Sequence, residues 1–383
     1  MIIDYPYLII VAILLVLFLI ELKDRSKRKV CYRIAALLTW LFIGLRAQSV
    51  GADTLDYVEN FLSGNHVYQE PLYNVYYLFV RWIWCNGTFY LMLTAFLSLF
   101  SLYVLVDKYA TYKVLPILLF FIFGYYYNYF IAMRQILATS IFFGGVVAVL
   151  DDKKRKWWIY TCCTVISCFT HNFMVIVALC FTAMYFVPIR KKGTALILVA
   201  ASGIIGVFFN AVTLLRLFDS YFSLGVGITT ERLNEYMTSS GVNDNLAASV
   251  LGQLYYAIIG FFILYFIPNY KVNHWFTKMY IIYVVFISIF RELFMIERIV
   301  LPFALMGCII MTWSFDVIKN TKLLIPKMMA VVLFVYVLNG YVKQQINYDE
   351  TELGRMHPYY FMWEDDSNHP SYYYQRFGTF DFF

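Results

Sequence analysis

Arginine stands where an apolar chain has least use for it. Arg46 closes an apolar run and opens a loop with Gly51, Asp53, Asp56 and Tyr57 in G-L-R-A-Q-S-V-G-A-D-T-L-D-Y, residues 44–57. Arg134 lies just inside a second run, in Y-F-I-A-M-R-Q-I-L-A-T-S, with Gln135 beside it. An arginine at bilayer depth costs about 2.5–3.5 kcal/mol on insertion scales, which makes it a functional candidate by default. The competing reading is snorkelling of the long side chain to the interface. Arg291 and Arg298 flank R-E-L-F-M-I-E-R seven residues apart; on a helix they share a face, with Glu292 and Glu297 near enough to pair. A planar guanidinium grips phosphate bidentately and stays charged in a low dielectric, so the chemistry these residues suit is anion binding. A base would come from His171 in C-F-T-H-N-F-M, or from the loop carboxylates Asp53, Asp56, Glu59 and Glu70. A lone histidine is more often a hydrogen-bonded structural residue, and solvated loop carboxylates are usually inert.

The elements that must position these groups are transmembrane helices. The chain of 383 residues is 62% hydrophobic and 14% charged, far below the roughly 25% charged content of a soluble domain. Runs approaching the ~20 apolar residues of a membrane helix occur at 5–20, 31–47, 88–106, 114–127, 131–150, 157–170, 173–187, 194–212, 248–267, 276–290, 298–315 and 322–341, which makes about 12 spans of an all-α polytopic protein. The Tyr-rich segment 72–85, carrying Arg81, is expected to be interfacial or re-entrant. The first run is followed by E-L-K-D-R-S-K-R-K rather than a small-residue cleavage site, so a retained span is expected. No internal repeat is visible. The expected organisation is one membrane domain over 1–342 with external loops at 48–71 and 213–247, then an external aromatic-rich tail over 343–383.

Charge orients the chain. With the basic segment 21–33 in the cytoplasm, alternate connections hold 20 of the 30 Lys and Arg, and 15 of those 20 are Lys. Of the 10 left on the other side nine are Arg, a skew that topology alone does not require. The external face is therefore expected to hold an anion. The net charge of +6 is topological and calls for no nucleic acid. Seven cysteines at an odd count, with no C-x-x-C, are expected as small core hydrophobes. The external loops carry no D-x-D pair for a divalent ion, so no metal and no cofactor are expected. The tyrosines of Y-Y-Y-N-Y-F at 125–130 suit an interfacial aromatic belt; the tail's rings and carboxylates suit either that belt or sugars.

In order along residues 40–310, G-L-R-A-Q-S-V-G-A-D-T-L-D-Y, Q-E-P-L-Y-N-V-Y-Y, A-M-R-Q-I-L-A, F-T-H-N-F and I-E-R-I-V-L-P-F resemble the EpsG family of Wzy-like bacterial polysaccharide polymerases. The resemblance implies a GT-C-like helical fold in the bacterial cytoplasmic (inner) membrane, working on its external or periplasmic face. It implies transfer of a growing glycan from undecaprenyl diphosphate to the next lipid-linked repeat unit. The products would be O-antigen of lipopolysaccharide, capsule or exopolysaccharide, and a chain-length regulator protein would be a further partner. By motif position Arg46, Asp53 and Tyr57 match the R…G-x-D…Y element and Glu70 the E-P element. Arg134 and Gln135 match R-Q, His171 the His motif, and Arg298 the late arginine; T-H-N-F departs from the small residue that often follows the His. On this reading Arg46, Arg134, Arg298 and Arg291 bind the diphosphate, Tyr57 and Gln135 bind substrate, and His171, Asp53 or Glu70 takes the acceptor proton. An O-antigen ligase shares the donor and differs in acceptor. A repeat-unit flippase shares the ligand, but would line a path through the bilayer with charge. A channel or receptor explains neither the arginine skew nor the ordered motifs.

Overall fold

A computed structural model describes residues 4–51, 53–64, 68–150, 156–208, 246–290, 296–346 and 357–364, with backbone alone for 246–253 and 297. The described residues are helical, joined by short turns, with one isolated β-bridge. A helix coincides with each of the twelve apolar runs. Among the described residues five helices are long and apolar enough to cross a membrane, or six if one bent pair forms a single span, as expected of a multi-pass membrane protein. Several others are shorter: Trp157–Thr170 has 14 residues, about 21 Å at the helical rise against a hydrocarbon core of roughly 30 Å.

The chain forms two compact units. The first comprises residues 1–178 and 323–383. Its helices are α1 (Tyr5–Lys23), α2 (Arg28–Gly44), α3 (Thr54–Ser63), α4 (Pro71–Ile83), α5 (Gly87–Tyr109), α6 (Val114–Ile122), α7 (Asn128–Ile131), α8 (Met133–Leu150), α9 (Trp157–Thr170) and the start of α10 (Met174–Phe186). The second unit, 179–322, contains α11 (Lys192–Phe208), α12 (Leu246–Tyr265), α13 (Trp275–Phe290) and α14 (Ile296–Asn320). The last helix, α15 (Leu324–Ile346), belongs to the first unit and rests on α1 and α6.

Local chemistry sets the helix ends of the first unit. The Asn86 side chain accepts from the Phe89 amide at 2.9 Å and caps α5. Glu21, fully buried near the end of α1, accepts from the amides of Lys113 and Val114 at 2.7 and 2.9 Å. Its carboxylate thereby satisfies the free N–H groups that open α6 and faces the positive end of that helix. The run 114–127 does not continue straight: Gly124 at φ 72° breaks it, and the pieces meet at 79°. Tyr126, Tyr127, Tyr129 and Phe130 are buried among Tyr7, Phe42, Phe120, Phe121 and Tyr359, so four of the five Y-Y-Y-N-Y-F rings are core at this elbow rather than an interfacial belt, and Tyr125 is half-buried. Of the seven cysteines, Cys31 and Cys308 are buried, whereas Cys85 and Cys162 are exposed.

The tail also enters the core. Residues 357–364 run antiparallel to 45–47, with Ala47 N–H donating to the Tyr360 carbonyl at 2.8 Å and Met362 N–H to that of Leu45 at 2.9 Å. Tyr359 stacks on Phe42 at 4.5 Å. His357 Nδ1 meets Asp4 Oδ2 at 2.7 Å, both side chains fully buried. In the second unit Trp275 packs on Phe181 at 4.0 Å and donates to its carbonyl. Lys278, although buried, gives its ammonium to the Met184 carbonyl at 3.1 Å.

Candidate active site

The stretch 48–71, expected as a loop, contains α3, and the next helix is α4, 13 residues long. Both are amphipathic, and α3 fixes two site residues at once because Thr54 and Tyr57 are three apart and share a face. Gly51 makes the approach to α3 feasible. Its φ is 115°, and a Cβ there would lie 2.4 Å from Thr54 Oγ1 and 2.8 Å from Phe130 Cβ, a backbone conformation open chiefly to glycine. Glu70 occupies the N-cap of α4 ahead of Pro71 but makes no capping bond, which leaves its carboxylate for another partner.

That partner is Arg134. Its Nη1 donates to Glu70 Oε2 at 2.6 Å and its Nε to the Tyr57 hydroxyl at 3.0 Å. The guanidinium also lies 4.9 Å above the Tyr68 ring. The Glu70 side chain is 8% exposed and that of Arg134 29%, so the pair is anchored inward while the arginine reaches the surface. Its Nη2 makes no hydrogen bond among the described residues. Burial, then neighbouring Tyr57, pushes the Tyr68 phenol above its ordinary range, so Tyr68 offers a neutral ring face. Tyr57, Tyr68, Tyr73 and Tyr77 pack behind the arginine through edge and stacked contacts.

Arg46 lies behind this group and is 1% exposed. It donates Nη1–H to the Ile43 carbonyl, Nε–H to that of Val50 at 3.2 Å and Nη2–H to Thr54 Oγ1 at 3.4 Å. Nη2 also meets Met133 Sδ at 3.7 Å, and the guanidinium covers Phe130 at 4.7 Å. Ile43 is in the last turn of α2, so the arginine serves a helix C-terminus where carbonyls are unpaired and the dipole favours a cation. Arg81 does the same for α3, donating to the Phe61 carbonyl at 2.8 Å. Two of the cations behind the arginine skew are thus occupied by carbonyls of their own fold.

His171 follows α9 in extended backbone at φ −158°. Contacts between α8 and α9 pair Ala148 with Lys156, Gly145 with Tyr160 and Ala138 with Ser167, so the helices are antiparallel and His171 lies level with Arg134. Its Nδ1 accepts from the Phe173 amide at 3.3 Å. Asp53 is the N-cap residue of α3, half-buried, without a capping bond. Gln135 is buried one residue beyond Arg134. Arg298 lies in the second unit, half-buried in the first turn of α14, and Arg291 lies outside the described residues. The structure therefore brings Tyr57, Glu70 and Arg134 together, with Arg46 behind them. Thr54 and Tyr68 were not legible as site residues, although each stands within three residues of one that was.

Over residues 29–359 the sequence matches the model of the EpsG family. No curated protein and no solved structure matches the chain.

Proposed function

We propose that this chain, which belongs to the EpsG family, is a polysaccharide polymerase that transfers a growing glycan from a polyprenyl diphosphate carrier to the next lipid-linked repeat unit on the external face of the cytoplasmic membrane. The observation that carries this reading is the Arg134 guanidinium, held by Glu70 and Tyr57 with Nη2 directed to no protein partner among the described residues. Leaving-group departure from an anomeric carbon develops charge on the diphosphate, and a fixed donor aimed at that charge lowers the barrier without reorganisation. Arg134 fills this role and Arg46 positions it: Arg46 touches Met133 directly and reaches the Phe130 carbonyl through Thr54. An anion from solvent does not reach Arg46, which is 1% exposed.

The acceptor hydroxyl attacks the anomeric carbon, the bond to the diphosphate oxygen breaks, and the hydroxyl proton passes to a base. Glu70 is a candidate for that role through Oε1, which has no hydrogen bond among the described residues, while Oε2 stays bound to Arg134. His171, level with Arg134, is the alternative base for the acceptor proton. Asp53 is a further candidate contact of the acceptor glycan, and Arg298 and Arg291 of the diphosphate; Gln135, 1% exposed like Arg46, would act from behind Arg134 rather than by touching the glycan.

The test is the glycan ladder of cells lacking the gene, complemented with wild type, Arg134→Ala or Arg134→Lys. We expect wild type to restore the ladder. Arg134→Ala should leave single repeat units and lower polymer at least about 100-fold at unchanged protein level. Arg134→Lys should recover little, since a point charge cannot hold Glu70 and Tyr57 in one plane. A normal ladder from Arg134→Ala would overturn the role of Arg134. Repeat units trapped on the cytoplasmic face of the deletion strain would make the protein a transporter instead.

A further inference from the structure

A cleft of about 440 Å³ opens on the first unit between α4, α5, α8 and α9. Its walls include Leu72, Val75 and Phe79 of α4, Phe100 of α5, Leu137 of α8 and Ile166 of α9. Val75, Phe79 and Phe100 are 60%, 56% and 54% exposed, so the cleft is open along one side. Three of the four hydroxyls that line it, all but that of Ser101, are turned to their own fold. Ser140 donates to the Leu97 carbonyl at 2.6 Å and Thr170 to that of Ile166 at 2.8 Å, while Tyr76 pairs with Thr94 at 2.7 Å. With these groups satisfied, the walls offer little to a sugar or a headgroup and favour hydrocarbon.

Register ties the cleft to the arginine. Leu72 is two residues beyond Glu70, and Leu137 is three beyond Arg134, one turn along the same helix. From there the lining continues along α4 to Phe79, about 10 Å of helix, and along α8 to Ile141. An anionic group on Arg134 Nη2 would therefore have its hydrocarbon chain enter at Leu72 and Leu137. We propose that this cleft holds the carrier-proximal part of the polyprenyl chain of the lipid-linked donor, resting on the reading of Arg134 as the diphosphate contact. An acyl chain of an ordinary phospholipid is the rival occupant. It is disfavoured because the cleft runs from a half-exposed arginine already oriented by a carboxylate and a phenol, rather than from an uncommitted surface cation.

The probe is a polyprenyl diphosphate without sugar, bearing a diazirine on its first isoprene units, photolysed with the purified full-length protein in phosphatidylglycerol nanodiscs. Labelled peptides are mapped by mass spectrometry. We expect label within 72–79 and 137–141, competed at least 10-fold by unlabelled polyprenyl diphosphate and not by added phosphatidylglycerol. Val75→Trp, an exposed position that fills the cleft, should lower the label at least 10-fold and leave the thermal midpoint unchanged. Label elsewhere, equal competition by phosphatidylglycerol, or undiminished label in a folded Val75→Trp would each overturn the proposal. Because binding is read without turnover, the cleft can fail while the ladder experiment succeeds, or stand while it fails.

Discussion

Arg46 and Arg134 are both isolated cations beside apolar helices, and their acceptors separate them. Arg134 faces a carboxylate and a phenol with one nitrogen uncommitted among the described residues, whereas Arg46 is enclosed and serves the Ile43 and Val50 carbonyls. Removing Arg46 would leave two buried carbonyls without donors, at about 1–3 kcal/mol each. Arg46→Ala should therefore lower the thermal midpoint and the yield of folded protein together with polymerisation. Arg134→Gln, which leaves Glu70 a hydrogen-bond donor, should lower polymerisation alone. Fluorescence-detected thermal unfolding in detergent, beside the ladder, separates the two. An Arg46→Ala protein as stable as wild type and without polymer would move Arg46 into the binding site itself.

At the scale of elements, short helices and their caps do the positioning. α3 and α4 deliver Tyr57 and Glu70 to Arg134 because Gly51 lets the chain turn and Pro71 starts α4 where Glu70 is left outside the helix. In the second unit the connection before α13 carries a titration that can be measured. Burial first, then Lys271 and Lys278, push the His274 imidazole down from 6.5 to about 4. Between those values the unfolded chain takes up a proton that the folded one does not, so stability falls as pH drops from 6.5 to 4 and is flat above. The difference amounts to about 3 kcal/mol. His274→Gln should flatten the pH dependence of the thermal midpoint over that window; an unchanged slope would assign it to other groups.

At the scale of the molecule, the first unit is closed by its own ends. Residues 357–364 lie along 45–47, and Asp4 near the start of the chain accepts from both the His357 ring and the Tyr359 amide, at 2.7 and 2.8 Å. This strap covers the turn that holds Arg46, so tail and site are joined through the backbone of residues 45–47. His357→Ala would leave a buried carboxylate with one donor fewer, about 1–3 kcal/mol. A lower thermal midpoint with the Arg46 turn loosened is expected, read by hydrogen exchange at Ala47, whose amide bonds to the Tyr360 carbonyl. Unchanged exchange at Ala47 would show that the strap does not support the turn.

Composition and the order of the motifs are enough to identify an all-α membrane protein and a member of its family. Apolar runs and basic connections are local quantities, and the ordered motifs around Arg46, Glu70, Arg134 and His171 survive without coordinates. The sequence also marked Arg134 as a charge needing a reason, because a cation inside an apolar helix is costly wherever it lies. Contacts between distant segments distinguish Arg134, with a donor to spare among the described residues, from Arg46. Whether a guanidinium meets a helix terminus, as Arg46 and Arg81 do, or a carboxylate 64 positions away, as Arg134 does, depends on contacts that no spacing encodes. The same holds for the tyrosines of 125–130 and the tail. Their composition suits an interface equally well, and it took the bend at Gly124 and the pairing with residues 45–47 to carry Tyr126 and Tyr359 into the core.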